Sequence, residues 1–145
     1  MMRPSSVPPR QRPLTVTILA IAVLIIAVGN LTRLWATVRN WETLIRLGVS
    51  PGPIYIALSG IFWAIAFLIL FSLIWVGHHR ARNANLIVIG LYIVYYWIDR
   101  LVFQSRIPQK NIPFAIGMTI LVVFYTLLSL SLPANIAFLS RKNEQ

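Results

Sequence analysis

Four apolar stretches, each long enough to cross a lipid bilayer, occupy most of this chain, and its charges are confined to the short segments between and beyond them. The stretches cover 14–31, 54–76, 85–103 and 112–132, the third starting at Asn85 or Leu86. At about 1.5 Å of rise per residue they reach roughly 27 to 35 Å, against a hydrocarbon core of about 30 Å. Inside that core a lipid-exposed backbone must satisfy its own N–H and C=O groups, so segments of this kind fold as helices. The expected fold class is all-α: a polytopic membrane protein with four transmembrane helices in an up-down bundle.

With 145 residues, 58% of them hydrophobic, and a mean hydropathy of +0.76, little chain is left for a soluble domain. One transmembrane domain over 14–140 uses nearly all of it, flanked by tails at 1–13 and 141–145. The first tail, MMRPSSVPPRQRP, is basic and proline-rich with almost nothing apolar to bury, so a disordered or polyproline-like segment is expected. Ala27 and Gly29 also sit where small residues precede a signal-peptidase cut. The apolar run before them is slightly long for a signal peptide, and an uncleaved first span is expected.

The chain has no cysteine, which excludes disulfides, thiolate metal sites and CxxC redox chemistry. Its net charge of +10 is spread over both termini and every loop instead of one face, so nucleic acid is not an expected partner. Arginine and lysine flanking spans meet lipid headgroups. Alternating the spans puts seven basic residues on the side of the termini (Arg3, Arg10, Arg12, Arg80, Arg82, Arg141, Lys142) and six on the other (Arg33, Arg39, Arg46, Arg100, Arg106, Lys110). The expectation is a cell-membrane protein with both termini cytoplasmic.

After the first span the sequence TRLWATVRNWETLIRLG places Leu34, Trp35, Val38, Trp41 and Ile45 at helical spacing among polar residues. An amphipathic helix is expected near 34–46, either lying in the interface or continuing the first span into the headgroups. Glu42 is four residues before Arg46, spaced to pair with it. Trp35 and Trp41, with Trp75 and Trp97 near the ends of later spans, are the expected interfacial anchors. Gly60 and Ala64 form a small-xxx-small step that lets another helix approach closely. His78 and His79 are adjacent, so their side chains diverge on a helix, and no carboxylate lies near in sequence to complete a metal shell; no metal or other cofactor is expected.

The third span carries the sharpest chemical signal. Leu86 to Ile98 is only thirteen residues, about 20 Å, so the helix must run through Asp99 and Arg100 to about Phe103 to cross. Arg100 can snorkel, but the short Asp99 side chain cannot, and an unpaired aspartate at membrane depth costs up to about 3 kcal/mol. Asn85, Tyr92, Tyr96, Asp99 and Phe103 share one helical stripe. On the same side of the membrane lie Asn30 and Arg33 of the first span and Tyr55 and Ser59 of the second. A polar cluster of Asp99, Arg33, Tyr96, Tyr92, Asn30 and Ser59 is expected, sealed by an Arg33–Asp99 ion pair with Arg100 and Arg106 as alternative partners. Thr119, Ser129 and Ser131 are small enough to bond back to their own helix, and Pro133 should end or kink the fourth span.

No activated nucleophile or metal set stands out, so an enzyme is not expected. The leading expectation is a small non-enzymatic membrane protein acting as an accessory or interaction subunit. Its partners would be the lipid bilayer and either another membrane protein or further copies of itself. The alternative is an oligomeric transporter or channel using Asp99 as a proton or cation site.

Overall fold

A computed structural model describes residues 12–103, 111–133 and 135 of the chain. These residues form α1 (Leu14–Arg39), α2 (Trp41–Arg46), α3 (Pro53–Val76), α4 (Ala81–Ile98) and α5 (Ile112–Ser131), with a π-helical turn, Asp99–Phe103, extending α4. No strand occurs among them, and α1, α3, α4 with its extension, and α5 are each long and apolar enough to cross a membrane. The fold is the expected all-α four-helix membrane architecture. The tail at 1–13, save Arg12 and Pro13, lies outside the described residues, as do Arg106, Lys110 and the 141–145 tail.

Helix α1 packs most extensively against α3. The buried α1 residues Val16, Ala20, Val23, Ala27 and Asn30 alternate steps of four and three, as do Gly60, Trp63, Phe67, Leu70 and Ile74 on α3. That spacing keeps one narrow seam facing its partner along both helices, as in coiled-coil packing. Gly60 marks the closest approach: a Cβ there would lie 3.2 Å from the Asn30 carbonyl oxygen and 3.4 Å from Leu34 Cβ. Ala64, four residues on, is fully buried, so the small-xxx-small step does bring two helices together. At the end of the bundle nearest the termini, the Arg12 guanidinium sits 3.9 Å from the Trp75 ring centroid, joining the start of α1 to the end of α3.

Two boundaries differ from the sequence expectation. For the segment near 34–46 the structure takes the second alternative over its first half, since Leu34 to Arg39 continue α1, and only Trp41–Arg46 form a separate short helix. Nothing between Leu31 and Arg39 breaks a helix, so the first span simply runs on. The break falls at Asn40, whose side-chain amide donates to the Ala36 carbonyl (2.8 Å) and competes with the backbone pattern. Gly48, at φ 57°, then accommodates the left-handed turn that ends α2. Glu42 and Arg46 do meet, at 3.6 Å, but both are exposed and the pair adds little.

The third span starts at Ala81, four residues before Asn85. Hydropathy places the boundary at Asn85 or Leu86, past the polar residues Arg82 and Asn83, whereas the helix begins as soon as the preceding turn allows it. Gly77, at φ 71°, closes α3 with its N–H on the Ile74 carbonyl and the His78 N–H on that of Leu73. Arg80 donates its N–H to His78 Nδ1 (3.1 Å), completing a turn of only four residues, 77–80. Helix α5 ends at Ser131 with Leu132 extended, the conformation that the following Pro133 favours.

Candidate functional site

Asn30, Arg33 and Thr37 fall on one face of α1 at steps of three and four, and Tyr92, Tyr95 and Asp99 repeat those steps on α4. Because one membrane pass, α3, lies between them, α1 and α4 run parallel, and the first two rungs of the polar ladders meet. Asn30 Nδ2 donates to the Tyr92 hydroxyl (3.5 Å) and Arg33 Nη1 to the Tyr95 hydroxyl (3.1 Å), both across a separation of 62 residues. Arg33 Nη2 then stands 3.7 Å from Asp99 Oδ2. The Asn30 amide also donates to the Ile26 carbonyl (2.9 Å), and Thr37 to that of Arg33 (2.8 Å), so the α1 side is held by its own backbone.

Asp99 is the more deeply placed member of the ion pair, with 7% of its side chain exposed against 33% for Arg33. Helix α3 closes the cluster: Tyr55 makes side-chain interactions with both Tyr95 and Asp99. The cluster rests on an aromatic floor. Trp63 lies edge-on to Tyr92 (ring centroids 5.0 Å) and 5.3 Å from Tyr95, while Phe67 meets Tyr92 edge-on at 4.9 Å. This floor keeps the ion pair at one end of the bundle and apolar packing below it. Asp99 also opens the π-helical turn, where the helix takes one residue more per hydrogen bond.

Of the six residues expected here, four come together: Asn30, Arg33, Tyr92 and Asp99. Arg33 is the observed partner of Asp99. Tyr96 does not join them; its hydroxyl accepts from Arg100 Nη1 (3.2 Å), and it lines a cavity of about 240 Å³ walled mainly by α4 and α5, with Ile26 of α1 and Phe67 of α3. The rows 92–96–99 and 92–95–99 are both valid helical stripes, and the structure turns the second toward α1. Ser59 instead donates to the Ile56 carbonyl of its own helix (3.1 Å), the cheapest way to satisfy a hydroxyl in lipid. The tryptophan anchors behave as a class: Trp35 and Trp75 are exposed, Trp41 and Trp97 half-buried. Trp35 receives the Arg39 guanidinium at 5.1 Å.

Sequence reasoning passed over Tyr95 and Trp63 as site residues. Tyr95 had a readable signal, since it precedes Asp99 by one helical turn just as Arg33 follows Asn30. Trp63 had none, because a tryptophan amid apolar residues reads equally well as lipid-facing.

A second polar knot lies at the opposite end, nearest the termini. Thr15 Oγ1 donates to Asn135 Oδ1 (2.7 Å), the Tyr125 hydroxyl donates to the Thr15 carbonyl (3.3 Å), and Asn135 Nδ2 donates to the Ser129 carbonyl. These bonds tie α5 to the start of α1. Thr119 and Ser131 bond back to the carbonyls of Ala115 (2.8 Å) and Leu128 (3.0 Å) on their own helix, as expected. Asn85, by contrast, is fully buried with neither end of its amide hydrogen-bonded.

No family model, no curated protein and no solved structure matches this chain. What fold and site define is a class: a polytopic α-helical membrane protein whose most polar intramembrane feature is an ion pair joining α1 to α4.

Proposed function

We propose that this protein is a non-enzymatic accessory or interaction subunit of a cell membrane, with both termini cytoplasmic. The observation that carries this reading is the mode of Asp99 binding: its carboxylate is paired with Arg33, which a Tyr95 phenol also holds, and meets the Tyr55 phenol of α3. Such a pair locks helices in register, the best-attested use of buried ions. The outer faces of α3 and α5 consist of large apolar side chains suited to lipid or to another membrane protein. The excess of seven basic residues over six supports the orientation.

Co-purification from native membranes tests the reading, and a stoichiometric membrane-protein partner is the expected result. A homo-oligomer with pH-dependent or voltage-dependent flux would overturn it in favour of a small transporter using Asp99 as a proton or cation site. That second reading draws on the π-helical turn at Asp99, since such turns recur at functional sites. The Asp99→Asn, Arg33→Gln double variant separates the two. A clamp keeps complex assembly once both charges are gone, whereas an ion site is dead even if the double variant is stable. For orientation, single cysteines at Ser5, Ser50, Asn83 and Asn143 should label from outside only at position 50.

A further inference from the structure

The seam between α4 and α5 is not closed. Three cavities of about 460, 120 and 240 Å³ follow it from the end nearest the termini. They are continuous in their walls: Leu86 and Leu127 line both the first and the second, and Ile89 and Ile93 both the second and the third. In this order the cavities form a row along the helices from a mouth at Arg82 and Ser131 to an inner end at Tyr96 and Met118, and we refer to the row as a crevice. From Arg82 to Tyr96 it spans about 21 Å by helical rise, enough for a headgroup phosphate and a chain crossing one leaflet of about 15 Å. Its lining is mostly aliphatic and aromatic, with Thr119 and Thr126 among it, and its one charged lining residue is Arg82, at the mouth.

We propose that this crevice is a binding site for one anionic phospholipid, with an acyl chain along α4 and α5 and the phosphate at Arg82. A long apolar slot with a cation at its interfacial end has the charge and shape of such a lipid, and the surrounding bilayer supplies it. Gly90 forms part of the narrow middle, and a Cβ built there meets no atom within 4 Å. The glycine leaves that stretch of wall flat, and the lipid chain passes over it. The site touches the polar cluster at its inner end through Tyr92, but its phosphate end at Arg82 uses none of the cluster's charges, and the site does not depend on whether the protein has a protein partner.

The test is thermal unfolding of the delipidated protein in detergent, titrated with phosphatidylglycerol or with phosphatidylcholine of the same chains. Phosphatidylglycerol should raise the midpoint at concentrations at least tenfold lower than phosphatidylcholine. Arg82→Gln should remove that tenfold preference, while Arg80→Gln, which loses the same charge two residues away but outside the crevice lining, should keep it. Gly90→Leu, whose Cβ meets no atom within 4 Å, extends into the slot and should abolish the response to phosphatidylglycerol in a protein that still folds. Native mass spectrometry gives a second readout, with one phosphatidylglycerol retained by the wild type and none by Gly90→Leu. Equal responses to the two lipids, an Arg82→Gln protein with its preference intact, or a Gly90→Leu protein that still retains the lipid would each overturn the proposal.

Discussion

The α1–α3 seam and the α4–α5 seam both join helices apolar enough to cross a membrane, yet the first is tightly packed and three cavities follow the second. The difference is not hydrophobicity, because lipid tails solvate a leucine as well as another helix does. It lies in small residues and polar contacts. Gly60 and Ala64 let the α3 backbone come down onto α1, whereas Gly117 of α5 faces open space. Helix α5 is held mainly at one end, through Thr15, Tyr125 and Asn135, and large side chains such as Phe114, Ile120 and Phe124 face outward. Helix α4 is intermediate: polar at its far end, where it meets Arg33, and loose where it meets α5.

The sharpest way to break the contrast is to wedge the closed seam apart. Gly60→Leu forces side-chain atoms into the Asn30 carbonyl and the Leu34 backbone, which belong to a helix that cannot give way locally. A loss of about 3 kcal/mol, at the upper end for overpacking, is expected. It would be read as a lower unfolding midpoint in detergent. A Gly60→Leu protein as stable as wild type would mean that α1 and α3 do not approach here.

Next in size is the link between α1 and α4. Asp99→Asn and Arg33→Gln should each cost about 2 kcal/mol, below the 3–5 kcal/mol of a fully buried pair because Arg33 is one-third exposed. The double variant should cost less than the sum, and additive losses would sink the pairing. Tyr95→Phe should then cost about 1 kcal/mol through its bond to the charged Arg33, while Tyr96→Phe, bonded to Arg100 at the edge, should cost less. The reverse order would put the other tyrosine stripe against α1.

Which parts of this were legible in the sequence follows from which signals are local. Span existence is local: a run such as Ile54 to Val76 announces itself by length and hydropathy. So is the need of Asp99 for a partner, and parallel packing of the first and third spans was enough to nominate Arg33. Helix rotation is not local. Whether Tyr95 or Tyr96 faces α1 depends on about 100° of rotation that both stripes tolerate. Boundaries failed for a related reason: the polar residues Arg82, Asn83 and Asn85 and the polar stretch after Thr32 end a hydrophobic run but not a helix. The Thr15–Asn135 contact spans 120 residues and joins two polar side chains with many equivalent alternatives, so no spacing rule could have found it.

Asn85 offers a test of opposite sign. Its amide is buried at the start of α4 with both ends unpaired, so replacing it with the similarly shaped leucine removes a desolvation penalty without opening a cavity. Asn85→Leu should raise stability by about 1 kcal/mol, visible as a higher midpoint. A fall instead would show that the amide is hydrogen-bonded in the membrane, by water or by a partner.

The smallest expected effect compares the two seams directly. Gly117 and Gly60 are both glycines inside transmembrane helices, and both carry the entropic weakness of glycine in the unfolded chain. Adding a methyl group at Gly117 meets no atom within 4 Å, so Gly117→Ala should stabilise by a few tenths of a kcal/mol, up to about 0.5. At Gly60 the same methyl lies 3.2 Å from a backbone oxygen, and the entropic gain is outweighed by the displacement of α1. The two alanine variants should therefore shift the midpoint in opposite directions. If both shift it upward, α1 and α3 have slack at their crossing, and small-residue packing is not what separates the closed seam from the open one.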